Sequence, residues 1–252
     1  MKILPLLRTL TLSFMAVVVS AGHAQANTCS SNTLNANYLV KTKNLHTGKS
    51  QMQHIELWRN NDRVAIHYQE TGITELWEKT TNNKLHLIRY FENHERGIEY
   101  QPNEIKGSHD WSVKYQLVSD QFMQSMEKQK AKGQEQGQGH GCDERIAFTK
   151  KQAGTQIELD WYSSKYLINT FNITTEHANT QWKLESVNND ASAVRTKFTT
   201  LDGFDTTDYT DVGDNESDPF LAKMINMGFI EHGNSGFYDS EGRSMGSDHH
   251  HH

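Results

Sequence analysis

Alternation of apolar and polar side chains is the feature that most constrains the fold of this chain. Between residues 35 and 100, short runs such as Val64, Ile66 and Tyr68 place apolar residues at every second position. This period of two predicts strands with one buried face. The runs are separated by short polar turns at 60–62, 70–72 and 81–83. Connections this short require neighbouring strands to be antiparallel, so we predict a meander.

Two stretches have the period of a helix instead. From Ser108 to Lys130 the spacing of the apolar residues predicts one long helix with a single apolar face. Those apolar residues are Trp111, Tyr115, Val118, Phe122 and Met126. A second, short helix is predicted where Ser217-Asp218-Pro219 provides a start signal and Gly228 a stop signal.

Alternation resumes after Cys142, for example in Ile157, Leu159 and Trp161. The chain is therefore predicted to be a β-rich α+β protein. We expect a curved antiparallel sheet, a half-barrel, with one long and one short helix covering a face.

The N-terminal segment predicts export. Lys2 and Arg8 precede an apolar run at 10–20, and Ala24-Gln25-Ala26 matches the small-x-small cleavage pattern. The apolar run is shorter than the roughly 20 residues that span a bilayer, so we predict cleavage after residue 26 and no transmembrane segment in the mature chain. The expected organisation is a signal peptide at 1–26, one β-rich domain at 27–230 with a flexible loop at 131–141, and a disordered tail at 231–252. Export with a cleaved signal predicts a periplasmic protein.

The chain has two cysteines, Cys29 and Cys142, both in the exported part. An oxidising compartment favours a disulfide between them. Free thiols that bind a metal are the alternative, although the pair lacks C-x-x-C spacing.

The charge balance argues against nucleic acid as a partner. The whole chain has 31 acidic and 25 basic residues, and cleavage would also remove Lys2 and Arg8. An acidic surface repels phosphates and attracts cations.

Histidines at the C-terminus point to a transition metal. The chain ends in His249, His250, His251 and His252, and neutral imidazoles suit copper, zinc or nickel. His232 and Met245 are possible helpers, because imidazole and thioether together suit copper(I). A purification tag is the alternative origin of the run. If the run is native, metal buffering or delivery in the periplasm is its most direct use.

Regularly spaced carboxylates run from Asp202 to Asp218. They could bind Ca²⁺ or the basic face of a partner, but they do not match an EF-hand loop. A solvated loop that caps the second helix is the preferred interpretation.

Known catalytic motifs are missing from the sequence. It has no G-x-S-x-G, H-E-x-x-H, phosphate-binding or dinucleotide-binding motif. We therefore predict a protein that is not an enzyme, with an uncharacterised hydrolase that uses two carboxylates as an alternative.

From Asn35 to Thr200 the order of strands and helices resembles that of the outer-membrane lipoprotein carrier superfamily. Members of that superfamily enclose an acyl chain or a peptide between a half-barrel and its helices. The resemblance implies a hydrophobic ligand or a periplasmic or outer-membrane protein as partner. It rests on element order, and neither an arginine latch nor another ligand-contacting residue is matched in this sequence. Trp58, Trp77, Trp111 and Trp161 are candidates to line such a cavity.

Overall fold

The computed structural model describes residues 29–129, 141–215 and 217–230 of this chain. The predicted signal peptide, most of the predicted loop and the tail lie outside the described residues. Within these ranges no helix has the length and apolar character needed to cross a membrane.

The strands form a single curved sheet that does not close into a barrel. Their bounds are β1 Thr33–Asn44, β2 Ser50–Asn60, β3 Arg63–Tyr68, β4 Ile73–Lys79, β5 Leu85–Phe91, β6 Arg96–Tyr100, β7 Glu127–Gln129, β8 Arg145–Gln152, β9 Thr155–Tyr162, β10 Leu167–Thr174, β11 Ala178–Asn188 and β12 Asp205–Asp208. The predicted half-barrel and its antiparallel meander are confirmed.

The order across the sheet is β12-β6-β5-β4-β3-β2-β1-β11-β10-β9-β8-β7. All neighbouring strands are antiparallel except β12, which pairs with β6 in parallel. Two meanders, β1 to β6 and β7 to β11, are therefore joined along β1 and β11. In that junction Val40 lies opposite Trp182.

Four α-helices accompany the sheet: α1 Trp111–Gln116, α2 Asp120–Gln124, α3 Ala191–Asp202 and α4 Pro219–Asn226. The predicted single helix from Ser108 to Lys130 is wrong. Leu117 has a left-handed backbone with φ of 66° and ends α1, and the Ser119 side chain accepts a hydrogen bond from the Phe122 backbone N–H and begins α2. Local capping therefore interrupts the helical period. The end of the predicted helix instead forms the short edge strand β7, which pairs with β8.

Of the other two helices, α4 was predicted from the sequence and α3 was not. Asp218 caps α4 and Pro219 is its first residue, as the start signal predicted. The sequence analysis missed α3, whose Val194, Phe198 and Leu201 are buried. Their spacing of four and three is helical, so the signal was present.

The sheet has a buried core on each face. The larger core includes Leu57, Phe91 and Phe171 together with residues of α1, α2 and α4, and we call the face that carries it the concave face. The smaller core joins α3 to Ala65, Leu76 and Tyr90 on the opposite face, which we call the convex face. Three of the helices therefore pack on one face of the sheet, and α3 packs on the other.

The predicted disulfide is confirmed. Cys29 and Cys142 are bonded, with their Cα atoms 5.2 Å apart and 113 positions apart in sequence. The bond joins the chain just before β1 to the chain just before β8.

Candidate functional site

The concave face of the half-barrel is the candidate site because it gathers large aromatic side chains under short helices. Of the tryptophans proposed to line a cavity, Trp77 and Trp161 are buried in the core of this face, and Trp111 packs against that core. The prediction for Trp58 is wrong, because Trp58 packs against the convex core beside α3. The register explains this, because Trp58 is out of phase with Leu57, which faces the concave core.

We call α1, α2 and α4 together the helical cover. In α2, the Phe122 ring meets Phe171 of β10 edge-on, with the centroids 6.3 Å apart. In α1, the Lys114 Nζ lies 3.9 Å from the Trp77 ring centroid. In α4, Phe220 meets Phe91 of β5 edge-on at 5.3 Å. The cover therefore contacts the sheet through side chains.

Buried Arg59 of β2 fastens α1 to the sheet. Its Nε donates to the Tyr115 carbonyl at 2.7 Å, near the end of α1 where helix carbonyls lack partners. The same guanidinium donates to the carbonyls of Lys165 at 2.7 Å and Tyr166 at 2.6 Å, in the turn between β9 and β10. A weaker bond of 3.2 Å reaches the Ser31 carbonyl. One side chain thus joins α1, the N-terminal segment and a turn of the second meander.

Burial lowers the pKa of Arg59 to about 10, while nearby Tyr115 and Tyr38 oppose that shift. Arg59 therefore remains a cation near neutral pH.

A buried charged group on the concave face lies under α4. Arg89 of β5 donates to Glu75 of β4 at 2.8 Å and to the Phe229 carbonyl at 2.6 Å. Burial opposes the charge on Arg89, but Glu75 holds the pKa of Arg89 above its ordinary value. The Tyr100 hydroxyl donates to the Ile230 carbonyl at 2.8 Å. These bonds tie the segment after α4 to β5 and β6.

Lys114 of α1 is also buried on this side. Burial lowers the pKa of Lys114 to about 8, and the electrostatic attraction of Glu75 partly offsets the shift. Glu75, Arg89 and Lys114 therefore join Arg59 as buried charged side chains in a core that is mostly apolar.

The sequence analysis missed these charged residues, although the alternation carries a signal for them. Arg59 is in phase with Leu57, and Glu75 and Arg89 are in phase with Trp77 and Phe91 of the concave core. A charged residue in the apolar phase of a strand is expensive to bury unless it has partners. The presence of a charged residue at a position where the alternation predicts an apolar one could have identified Arg59, Glu75 and Arg89.

Trp182 of β11 contributes a buried donor to the same face. Its side chain is 3% exposed, and its ring meets Tyr38 edge-on at 6.1 Å. Among the described residues, no acceptor lies within hydrogen-bond distance of its Nε1. A buried donor without a partner has a cost in free energy, and a ligand acceptor would remove that cost.

A cleft of about 160 Å³ opens at the edge of the helical cover. Its apolar wall consists of Phe91 of β5 with Met224, Met227 and Phe229 of α4 and the following turn. Because Phe91 and Met224 also belong to the concave core, the cleft ends at that core.

The three histidines on β2, β3 and β5 each contact a different set of carboxylates. His54 pairs with Glu70 at 2.9 Å, and His86 lies between Glu78 at 3.4 Å and Glu99 at 2.8 Å. His67 is 3.2 Å from Glu92. Each imidazole therefore has carboxylates of its own.

Glu92 accepts hydrogen bonds from Lys197 of α3 and from Thr74. Burial opposes the ionisation of Glu92, but the bonds from His67, Lys197 and Thr74 outweigh it and lower the pKa of Glu92 to about 2. This polar cluster anchors α3 to the convex face.

The predicted metal ligands cannot be placed. His232, Met245 and His249–His252 lie outside the described residues. Across 29–129, 141–215 and 217–230, no group of three or more His, Cys, Asp or Glu side chains is arranged to hold a metal ion.

The acidic stretch from Asp202 to Asp218 has several roles. Asp202 pairs with Arg63 at 2.5 Å, and Asp218 caps α4 and pairs with Arg96 at 3.1 Å. Asp205 and Asp208 lie in β12. The predicted capping role is confirmed for Asp218, but the stretch is not a plain loop.

No protein-family model and no curated protein matches the chain. Among solved structures, an outer membrane lipoprotein-sorting protein domain from Vibrio parahaemolyticus aligns at a TM-score of 0.35 and 10% identity, over 67% of this chain and 92% of that one. A LolA superfamily protein from Nitrosomonas europaea aligns at 0.31 and 6%, over 63% and 86%.

The structure of PNGF-II aligns at a TM-score of 0.37 and 11% identity, over 70% of this chain. The aligned region spans only 31% of the PNGF-II chain. The lipoprotein-sorting and LolA superfamily structures agree with the resemblance inferred from element order. At these low TM-scores, none of the likenesses indicates what this chain binds.

Proposed function

We propose that this chain is a non-enzymatic periplasmic carrier that holds the apolar part of a ligand between the concave face and the helical cover. The main support for this proposal is the way in which the helical cover is attached to the sheet. Side chains of the sheet donate to main-chain carbonyls of α1 and of the segment after α4. Most of the other contacts are packing of apolar and aromatic side chains, together with the Lys114–Trp77 contact and the Asp218–Arg96 pair at the start of α4. Such a cover can separate from the sheet while the strand ladders stay intact.

The chemistry of the covered surface supports an apolar ligand. Trp77, Phe171 and Trp182 lie on the sheet side, and Phe122 of α2 and Leu221 of α4 lie on the helix side. In the closed state these residues bury one another, which stabilises the protein without a ligand. An apolar chain that enters between them would replace contacts of the same kind. The free energy lost when the cover opens is therefore nearly recovered when the ligand binds.

Fastening by arginine supports a cover that opens as a unit. Arg59 holds α1 and Arg89 holds the segment after α4, each through backbone carbonyls. Backbone acceptors can be solvated by water when the cover separates, so opening does not require a carboxylate to be left buried alone.

Purification of the exported protein from periplasm, followed by organic extraction and mass spectrometry, tests the proposal. We expect an apolar compound at a fixed stoichiometry to the protein. After delipidation, the protein should bind dodecanol saturably, as followed by displacement of a fluorescent apolar probe. Absence of both a copurified compound and saturable dodecanol binding would refute the carrier function.

Metal capture by His249–His252, with His232 and Met245 as helpers, is a second candidate function. The observation that favours it is the run of four consecutive imidazoles at the C-terminus. The tail follows α4, so both functions can coexist in one chain.

A further inference from the structure

The cleft beside α4 differs in charge from the rest of this acidic protein. Lys223, a cation, and His94, whose imidazole offers an N–H donor, line it together with its apolar wall. Its lining contains no Asp or Glu. The lining is therefore net basic, whereas the whole chain has 31 acidic and 25 basic residues.

The two side chains are available to a ligand. Both are exposed, and among the described residues neither has a carboxylate within ion-pair distance. The carboxylates nearest in sequence are directed elsewhere or lie outside the lining. Glu92 is bound by Lys197 on the convex side, and Glu95 is exposed and does not line the cleft.

The inner end of the cleft leads to the proposed carrier site. Phe91 lies at the base and belongs to the concave core, and its ring centroid is 6.4 Å from that of Phe229. Met227 is 52% exposed at the outer end and is one of four exposed large apolar side chains in the described part of the chain. The lining thus changes from apolar at the core to cationic at the surface, over the width of α4.

A cleft that is apolar at its inner end and cationic at its outer end is complementary to a molecule with an apolar chain and an anionic headgroup. We propose that the ligand is a single-chain anionic amphiphile, whose chain passes along Phe91, Met224 and Phe229 into the concave core while its headgroup rests against Lys223 and His94. The volume of about 160 Å³ is below the roughly 300–1,000 Å³ of sites that enclose a whole drug-sized ligand. The cleft therefore takes the headgroup end and the first part of the chain, and the remainder requires the space under the cover. This inference rests on the proposed carrier function.

The headgroup interaction is electrostatic and partly exposed, so its effect on affinity is modest and sensitive to salt. Lys223 contributes a charge and His94 an N–H donor. Carboxylate and phosphate heads share this chemistry, and laurate and dodecyl phosphate separate the two.

Equilibrium binding to the delipidated mature protein tests the inference, with laurate, dodecyl phosphate, dodecanol and dodecylamine each used below its aggregation concentration. We expect at least one anionic probe to bind about fivefold more tightly than dodecanol, with dodecylamine the weakest, because one exposed charge contact is worth about that factor. Lys223→Gln should remove this preference and leave dodecanol affinity unchanged. Lys223→Gln is preferred to Lys223→Glu because an acid in the last turn of α4 would disturb the helix itself.

Lys183→Gln is the matched control, since Lys183 is an exposed lysine of β11 that does not line the cleft. It should bind all four probes like the parent protein. Equal affinity for the anionic probes and dodecanol, or an unchanged preference in Lys223→Gln, would overturn the anionic headgroup while the carrier function stands. Failure of every probe to bind would overturn both.

Discussion

The guanidinium carbon of Arg59 lies 4.1 Å from the centroid of the Tyr115 ring, while the Nε of Arg59 donates to the carbonyl of that same residue at 2.7 Å. Arg59 therefore contacts both the side chain and the backbone of α1. Through these two contacts Arg59 attaches the helical cover to β2.

Replacing Arg59 should loosen the cover. Arg59→Leu leaves buried carbonyls without donors, so we expect the free energy of unfolding to fall by about 3–5 kcal/mol, with Arg59→Lys less severe. Denaturant unfolding measures the loss. An apolar fluorescent dye should also bind more strongly to the folded variant. Arg195→Leu, at an exposed position of α3, is the control and should change stability by less than about 0.5 kcal/mol. Equal stability of the two variants would contradict the role of Arg59.

Removing the disulfide should lower stability through the unfolded state. Cys29 and Cys142 close a loop of 113 positions, for which chain entropy gives about 4–5 kcal/mol. The Cys29→Ser, Cys142→Ser double variant should lose that amount in denaturant unfolding, and reduction of the parent protein should match it. Denatured, unreduced parent protein should contain no free thiol. Two titratable thiols per chain would show that the bond does not form.

His86 should make stability depend on pH. Hydrogen bonding to Glu78 is the largest effect and, with Glu99, raises the pKa of His86 above its ordinary 6.5 despite partial burial. The protonated imidazole is thus favoured in the folded state. The contribution of His86 to the free energy of unfolding is fully present below about pH 6.5. It is lost as the pH rises through the pKa that His86 has in the folded state.

The His86→Gln variant measures this contribution. We expect it to lose roughly 0.5–1 kcal/mol relative to the parent at about pH 5.5, and less at about pH 8.5. His109→Gln, at an exposed position, should follow the parent at both values. A His86→Gln deficit that is the same at both values would show that the imidazole charge plays no part.

The turn between β8 and β9 can be improved. Ala153 has φ of 46° and Gly154 has φ of 78°, so both central residues of this two-residue turn are left-handed. Asn-Gly is the preferred pair for such a turn. Ala153→Asn should raise the melting temperature, with a gain of about 0.5–1 kcal/mol. Ala153→Val should lower it, because a β-branched residue tolerates positive φ poorly. The reverse order would contradict the turn type.

The metal hypothesis has its own test. Isothermal titration of the mature protein with Cu²⁺ and Zn²⁺ should show binding that weakens below about pH 6, where imidazole protonates. A chain ending at Asp248 should bind much more weakly. Equal binding by both would place the ligands away from the tail. Absence of binding at micromolar concentration in both would end the hypothesis.

The sequence alone determined most of the strands, α4 and the disulfide, but neither β7 nor β12. Alternation fixes which side chains share a face, Asp218 and Pro219 start a helix locally, and an exported chain with two cysteines favours joining them. Alternation and capping are local signals, and two cysteines allow only one pairing within the chain. All three can therefore be interpreted without knowing which elements meet.

The predicted long helix breaks at a local feature, the left-handed Leu117 followed by the cap at Ser119, which the apolar period does not reveal because a continuous helix would satisfy that period equally well. Tertiary structure decided which buried charges are stable. Arg59, Glu75 and Arg89 are tolerated inside because carbonyls and carboxylates from distant segments reach them. Those partners are 14 to 140 positions away in sequence. Local pattern therefore specifies which residues are buried, whereas only the packed fold supplies the partners that make a buried charge stable.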